Sequence, residues 1–147
     1  MIITLTSADA LLAVQAGAMR NIENIRKGRV AAYGAAAGVA GDFQMHILGA
    51  MGEFALAQML NVCWHGKGRF RGPDVGHAIQ VRTSERGGRV SLILHPDDSD
   101  DMLYYCVRRI DGTLDFKIYQ PVWGRDGKVT ANWRDDVPHP AFFVPVQ

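Results

Sequence analysis

The sequence predicts a single α+β domain, and three observations carry that prediction. Apolar residues recur at helical spacing through roughly the first sixty positions. After Leu60 the period changes, first with the short apolar run Val62-Cys63-Trp64 and from Val75 with strand-like runs separated by turn residues. No segment repeats, so helices followed by one mixed sheet is the expected order.

The elements follow in turn. Thr6-Ser7-Ala8-Asp9 is a helix start, and Leu11, Leu12, Val14, Met19, Ile22 and Ile25 continue it to Lys27-Gly28, where glycine can supply a left-handed cap. Ala31 to Gly41, rich in alanine and glycine, reads as a loop. Asp42 reads as the cap of a second helix over Phe43 to Leu60. Its apolar face is broad (Ile47, Leu48, Met51, Phe54, Leu56, Met59), so it should be largely buried. Gly49 and Gly52 lie inside it, where each glycine costs up to about 1 kcal/mol relative to alanine. Such positions are tolerated where a sheet or a ligand must approach the backbone. Gly66 to Gly72 is a basic loop, Val75 to Ser84 a strand, and Arg86-Gly87-Gly88 a turn that lets Val90 to Leu94 pair back on that strand. Met102 to Ile110 and Leu114 to Val122 form a second hairpin around Asp111-Gly112, and the proline-containing tail reads as irregular, ending in Ala141-Phe142-Phe143-Val144.

The 147 residues suit one domain, and 48% apolar with 21% charged residues is ordinary for a chain with a real core. No stretch has the roughly 20 apolar residues of a membrane span. Met1-Ile2-Ile3-Thr4-Leu5 carries no basic segment of the secretory kind. Cys63 and Cys106 read as free buried thiols, and the expected compartment is the cytoplasm. The net charge of +1 is uninformative, but its distribution is not. Arg20 to Arg89 holds ten Lys/Arg against five Asp/Glu, whereas Val90 to the end holds six against nine. A basic half with a few isolated acids suits a polyanion site that also holds a metal, although a solvated surface can show the same asymmetry.

Three features bear on chemistry. Glu53 lies in an apolar helix, where a carboxylate needs a cation, hydrogen bonds or water. His46, seven residues earlier, is on nearly the same face. Pro73-Asp74 places an acid at the start of a strand. Gln80 and Arg82, two apart, project to one face while Ile79, Val81 and Thr83 take the other. In this order the residues resemble the PD-(D/E)XK nuclease superfamily. Glu53 stands for its helical acid, Pro73-Asp74 for its aspartate, and Gln80-Val81-Arg82 for its E-x-K pair. The run from Gly68 to Asp74, with Thr83-Ser84, is similar to Holliday-junction-resolvase-like and Mrr-like members, and the chain is similar to small nuclease-like proteins of phages and prophages.

The resemblance implies a restriction-endonuclease-like core and a metal-dependent DNA endonuclease. Asp74, Glu53, Gln80 and the Val81 carbonyl would hold Mg²⁺ or Mn²⁺, and Arg82 would sit at the phosphate. Lys67, Arg69, Arg71, Arg86 and His46 would meet the DNA. It implies no membrane and allows a homodimer. Two departures stand out: Gln80 offers a neutral oxygen in place of a carboxylate, and Arg82, permanently protonated, replaces lysine and cannot act as a base. A nuclease fold without cleavage, binding nucleic acid or a partner, is therefore the second expectation, and a viral structural or assembly protein the third.

Plain structural roles are also open to these residues. Glu53 could pair with a buried arginine, Asp74 could be a turn residue, and Gln80 and Arg82 could be an exposed strand face. Cys63, His65 and Cys106 lack zinc-site spacing. Asp97, Asp98, Asp100 and Asp101 lack the glycine and distal glutamate of a calcium loop and read as solvated. Neither a nucleophile elbow nor a phosphate-binding glycine loop is present.

Overall fold

The computed structural model describes residues 1–29, 38–66, 72–85 and 90–147. A short strand β1 (Ile2–Thr4) precedes helix α1 (Ser7–Arg26). The helix begins where a capping box closes: Thr6 Oγ1 accepts the Asp9 N–H at 3.2 Å, and Asp9 Oδ2 accepts the Thr6 N–H at 3.1 Å. It ends at Lys27, followed by Gly28 with φ +61°. Helix α2 runs over Gly38–Leu60, so its first turn begins before the expected Asp42 cap. Residues 38–41 of the expected loop are helical. Ala40 is a strong helix former, and Gly38 starts the helix with φ +66°, a conformation that glycine adopts easily. The remainder of that expected loop lies outside the described residues.

Strands β2 (Ile79–Ser84), β3 (Ser91–Leu94), β4 (Leu103–Arg109), β5 (Asp115–Ile118) and β6 (Val122–Trp123) follow. A four-residue helix α3 (Gly124–Gly127) and a 3₁₀ turn lead to β7 (Trp133–Arg134) and β8 (Ala141–Pro145). The main sheet has the order β1-β5-β4-β2, with β6 continuing alongside β4. Within it β2 and β4 are parallel and the other pairs antiparallel, which makes it the mixed sheet expected after N-terminal helices. The β4–β5 hairpin turns at Gly112, whose φ of +73° glycine alone adopts easily.

Two expectations on pairing are corrected. Val90 to Leu94 does not fold back on β2; β3 pairs with β8 in a second sheet of order β3-β8-β7. Nor is the tail irregular, since Ala141–Pro145 is the central strand of that sheet. The physical reason is burial. Leu92, Leu94 and Val144 are almost fully buried together with Tyr104 and Cys106 of β4, so the apolar tail segment and β3 cover one face of the main sheet jointly. Strand β2 is also shorter than the Val75 to Ser84 expected, because Val75 to Ala78 form a tight turn at Gly76 (φ +59°) that bridges Val75 to Ile79.

The opposite face carries the larger core. Val81 of β2, Tyr105 and Val107 of β4, and Phe116 and Ile118 of β5 pack there with Met51, Ala55 and Leu56 of α2 and Ala13 of α1. Strand alternation thus divides β2 as expected: Val81 lies on the helical side, while the Arg82 guanidinium lies 5.4 Å from the Tyr104 ring on the other. Gly52 is where α2 touches β2, for an added Cβ there would overlap the Thr83 side chain. Cys106 is buried, whereas Cys63 is exposed, unlike the buried pair expected. Among the described residues no helix is long and apolar enough to cross a membrane.

Candidate functional site

Helix α2 carries Asp42, His46, Gly49 and Glu53 at intervals of four, three and four, a single stripe along its length. His46 and Glu53 of that stripe meet Asn24 and Arg20 of α1, and Gly17 allows the two backbones to meet: an added Cβ at Gly17 would lie 2.5 Å from Ile47 Cα. Close approach brings the polar side chains of both helices into one seam. Asn24 Nδ2 lies 3.3 Å from His46 Nε2. Burial, and then the charge of Arg20, hold the His46 imidazole below its ordinary value.

Glu53 has the most complete set of partners. It is 6% exposed, and Arg20 donates to it through both guanidinium ends, Nη1 to Oε1 and Nη2 to Oε2, each at 2.7 Å. Trp64 Nε1 donates a third bond to Oε2 at 3.1 Å, while Arg20 Nε donates to the Gly66 carbonyl at 3.0 Å. The guanidinium lies 5.8 Å from the Trp64 ring, and Phe54 meets the same ring edge-on. Such a bidentate pair is the geometry that makes a buried carboxylate tolerable.

Asp74 is seated differently. Its Oδ2 accepts the Val81 N–H at 2.8 Å, and its own N–H donates to the Ile79 carbonyl at 2.8 Å. The acid is therefore fastened to the strand that carries Gln80 and Arg82. Among the described residues no lysine or arginine reaches it at ion-pair distance. Its pKa is pushed up to about 6, first by burial and then by the charge of Glu53; the Val81 N–H and the charges of Arg82 and Arg20 oppose the rise. The two carboxylates are thus close enough for one to burden the other.

On the far face of β2, Gln80 Nε2 donates to the Gly72 carbonyl. Arg82 Nη2 donates to Asp98 Oδ1 at 2.7 Å, and Asp98 Oδ2 accepts the His95 N–H at 2.8 Å. Asp98 is half-buried, whereas Asp97, Asp100 and Asp101 are exposed, as expected of that acidic loop. Lys128 nevertheless fastens the loop, donating to the Asp98 carbonyl at 2.6 Å and pairing with Asp100 at 2.6 Å.

The charges of Glu53 and Arg82 both act on Asp74, but the four expected site residues do not all share one face of the sheet. Glu53 approaches from α2 with its oxygens engaged by Arg20. Gln80 and Arg82 leave the strand on the other face, each already bonded. Arg20, Trp64 and Asp98 are part of this arrangement; none has a site role in the sequence reading, which took Asp98 as solvated, whereas it pairs with Arg82. Arg20 had no signal that separated it from the other polar residues of α1, among them Asn21, Glu23, Asn24 and Arg26. Asp98 had none that separated it from its acidic neighbours. Lys67, Arg69, Arg71 and Arg86 lie outside the described residues.

Among the described residues no three His, Cys, Asp or Glu side chains gather as a metal-holding group. A hard divalent ion binds through one or two carboxylates and keeps several waters, and of the two carboxylates here Glu53 has both oxygens engaged by Arg20. Asp74 Oδ1 accepts no hydrogen bond from a described residue, and Glu53 is the second carboxylate. Comparison with family models, with curated proteins and with solved structures finds no match to this chain.

Proposed function

We propose that the protein is a metal-dependent endonuclease that hydrolyses phosphodiester bonds in DNA, with Asp74 at the centre of the site. One observation carries the reading: Asp74 is bonded at 2.8 Å to the N–H of Val81, the middle residue of Gln80-Val81-Arg82. An acid locked to the strand that presents a permanent cation is a scaffold for placing a divalent ion and a phosphate side by side. Mg²⁺ or Mn²⁺, when bound, supplies Lewis acidity and a water that ionises near neutral pH.

The chain's own residues supply the rest. Asp74 offers the carboxylate, and the N–H of Val81 holds it in one orientation. Arg82, positioned by Asp98, contributes a charge that stays fixed at every working pH and suits a phosphate. Glu53 adds negative charge at the same acid, which a cation would relieve. The reading places the protein in the cytoplasm and needs no membrane; a homodimer is compatible with it.

A second reading has its own observation. Glu53, Gln80 and Arg82 are each bonded within the chain, so the fold could bind nucleic acid without cutting it. Supercoiled DNA incubated with Mg²⁺ or Mn²⁺, with wild type beside Asp74→Asn, separates the two. Metal-dependent nicking that the variant lacks supports the nuclease. Intact DNA in both lanes removes it, and a gel shift that weakens steeply with salt then supports binding alone. No shift at low salt removes both.

A further inference from the structure

We propose that the outer face of α1 is a dimer interface, on which a second copy of this chain lays its own α1 antiparallel, with the two-fold axis at Ala18. The inference is independent of the reading of the Asp74 site.

Helix α1 has two faces poor in charge. Ala13, Gly17 and Asn21 are buried on the core side. Away from that side, Leu11, Leu12, Met19, Ile22 and Ile25 are 59%, 55%, 58%, 39% and 56% exposed. At about 100° per residue these five fall within an arc of about 140°, a continuous apolar stripe. Together they expose on the order of 500 Å², near the top of what a monomer leaves bare. That is more than half of the roughly 800 Å² per partner that a stable interface buries.

The distribution of charge selects the occupant. Asp9 lies in the first turn of α1, and Arg26 and Lys27 close its C-terminal end. Leu11 and Ile25 each stand seven residues from Ala18. An antiparallel copy centred there sets Leu11 against Ile25, brings the acidic end of each helix beside the basic end of the other, and opposes the two helix dipoles. The small side chain at the axis lets the helices approach. A parallel copy would bring like ends and aligned dipoles together. A lipid surface calls for cations along the borders of the stripe, whereas Glu23 and Asp9 stand on this helix with Lys27 and Arg26.

The test is sedimentation velocity of the full chain over about 1–200 µM, with wild type beside Met19→Glu/Ile22→Glu. Both positions are exposed, so circular dichroism should show the variant folded. Leu12→Ser/Ile25→Ser, which adds no charge, decides the matter if it is not. Wild type is expected to dimerise with a micromolar Kd, and either variant about a hundredfold more weakly or worse. Geometry is read in a Cys63→Ser background with a short bismaleimide. Ala18→Cys alone, and a mixture of Leu11→Cys with Ile25→Cys, should be joined, and Leu11→Cys alone should not. Efficient joining of Leu11→Cys alone marks a parallel pair and overturns the arrangement. A dimer that the variants leave intact, or a wild type still monomeric at about 200 µM, overturns the inference. A monomer that floats with phosphatidylcholine/phosphatidylglycerol vesicles also overturns it, and gives the face to a lipid surface instead.

Discussion

Gly17→Ala and Gly49→Ala are the same substitution in two neighbouring helices, and the structure assigns them opposite signs. Helix propensity alone favours alanine by about 1 kcal/mol at either position. At Gly49 nothing among the described residues lies within 4 Å of an added Cβ, so that gain should be realised and stability should rise by about 0.5–1 kcal/mol. At Gly17 the added carbon would lie 2.5 Å from Ile47 Cα and 2.6 Å from the His46 carbonyl oxygen. Carbon–carbon contacts settle near 3.5–4 Å, so the helices would have to part by about 1 Å, and backbone atoms have no rotamer to escape into. Overpacking of this kind costs about 1–3 kcal/mol. The same movement stretches the Arg20–Glu53 and Asn24–His46 contacts, at about 1 kcal/mol more. The net expectation for Gly17→Ala is a loss of about 1–3 kcal/mol. Urea unfolding with an unchanged slope would measure both variants. Equal shifts of the same sign in the two variants would refute the close approach of α1 to α2 on which the polar seam depends.

Three further outcomes are expected. Asp74 has a folded-state pKa near 6, above its ordinary 3.8, so the native state holds the extra proton between those values and stability falls as pH rises through that window. Asp74→Asn should flatten that slope and exceed wild type in urea at pH 7.5 by about 1–2 kcal/mol; a variant whose pH profile overlays wild type contradicts the assignment. Arg20→Leu strands the Glu53 carboxylate and should cost about 3–5 kcal/mol, against a much smaller loss for Arg20→Leu/Glu53→Leu, a comparison that thermal melts can make. Cys63 is exposed, while burial pushes the Cys106 thiol up to about 11, so a thiol reagent at pH 8 should label one cysteine in the native chain and two in guanidinium; rapid labelling of both in the native state counts against the buried strand β4.

How much of this could be read from sequence depended on whether the deciding contact was local. The Thr6 cap and the Gly28 terminus of α1 are set within a few residues, and both were legible. The alternation of Gln80 and Arg82 against Val81 was legible too, because a strand leaves no other choice of face. The partner of Val90 to Leu94 was not. Proximity favoured a hairpin with β2, but Leu92 and Leu94 are buried with Val144, some fifty residues away, and no local pattern records that. The arginine that would receive Glu53 was equally hidden, since Arg20 and Glu53 are 33 residues apart and meet only because Gly17 lets their helices touch.

That difference bears directly on the candidate site. A sequence motif specifies which residue types occur, but strand alternation sends Gln80 and Arg82 to one face of β2 while α2 brings Glu53 to the other. Asp74, in the segment that precedes β2, is the residue that feels both sides: it receives the Val81 N–H and lies within the fields of Glu53, Arg20 and Arg82 together. Substitutions at Glu53 or Arg82 should act by changing the charge that Asp74 experiences. If Arg82→Gln and Glu53→Gln shift the pH dependence of Asp74 in opposite directions, downward on losing the carboxylate and upward on losing the cation, the two faces are coupled as the structure requires. A midpoint indifferent to both changes would mean that the sheet insulates them, and a shared site would then have no physical basis.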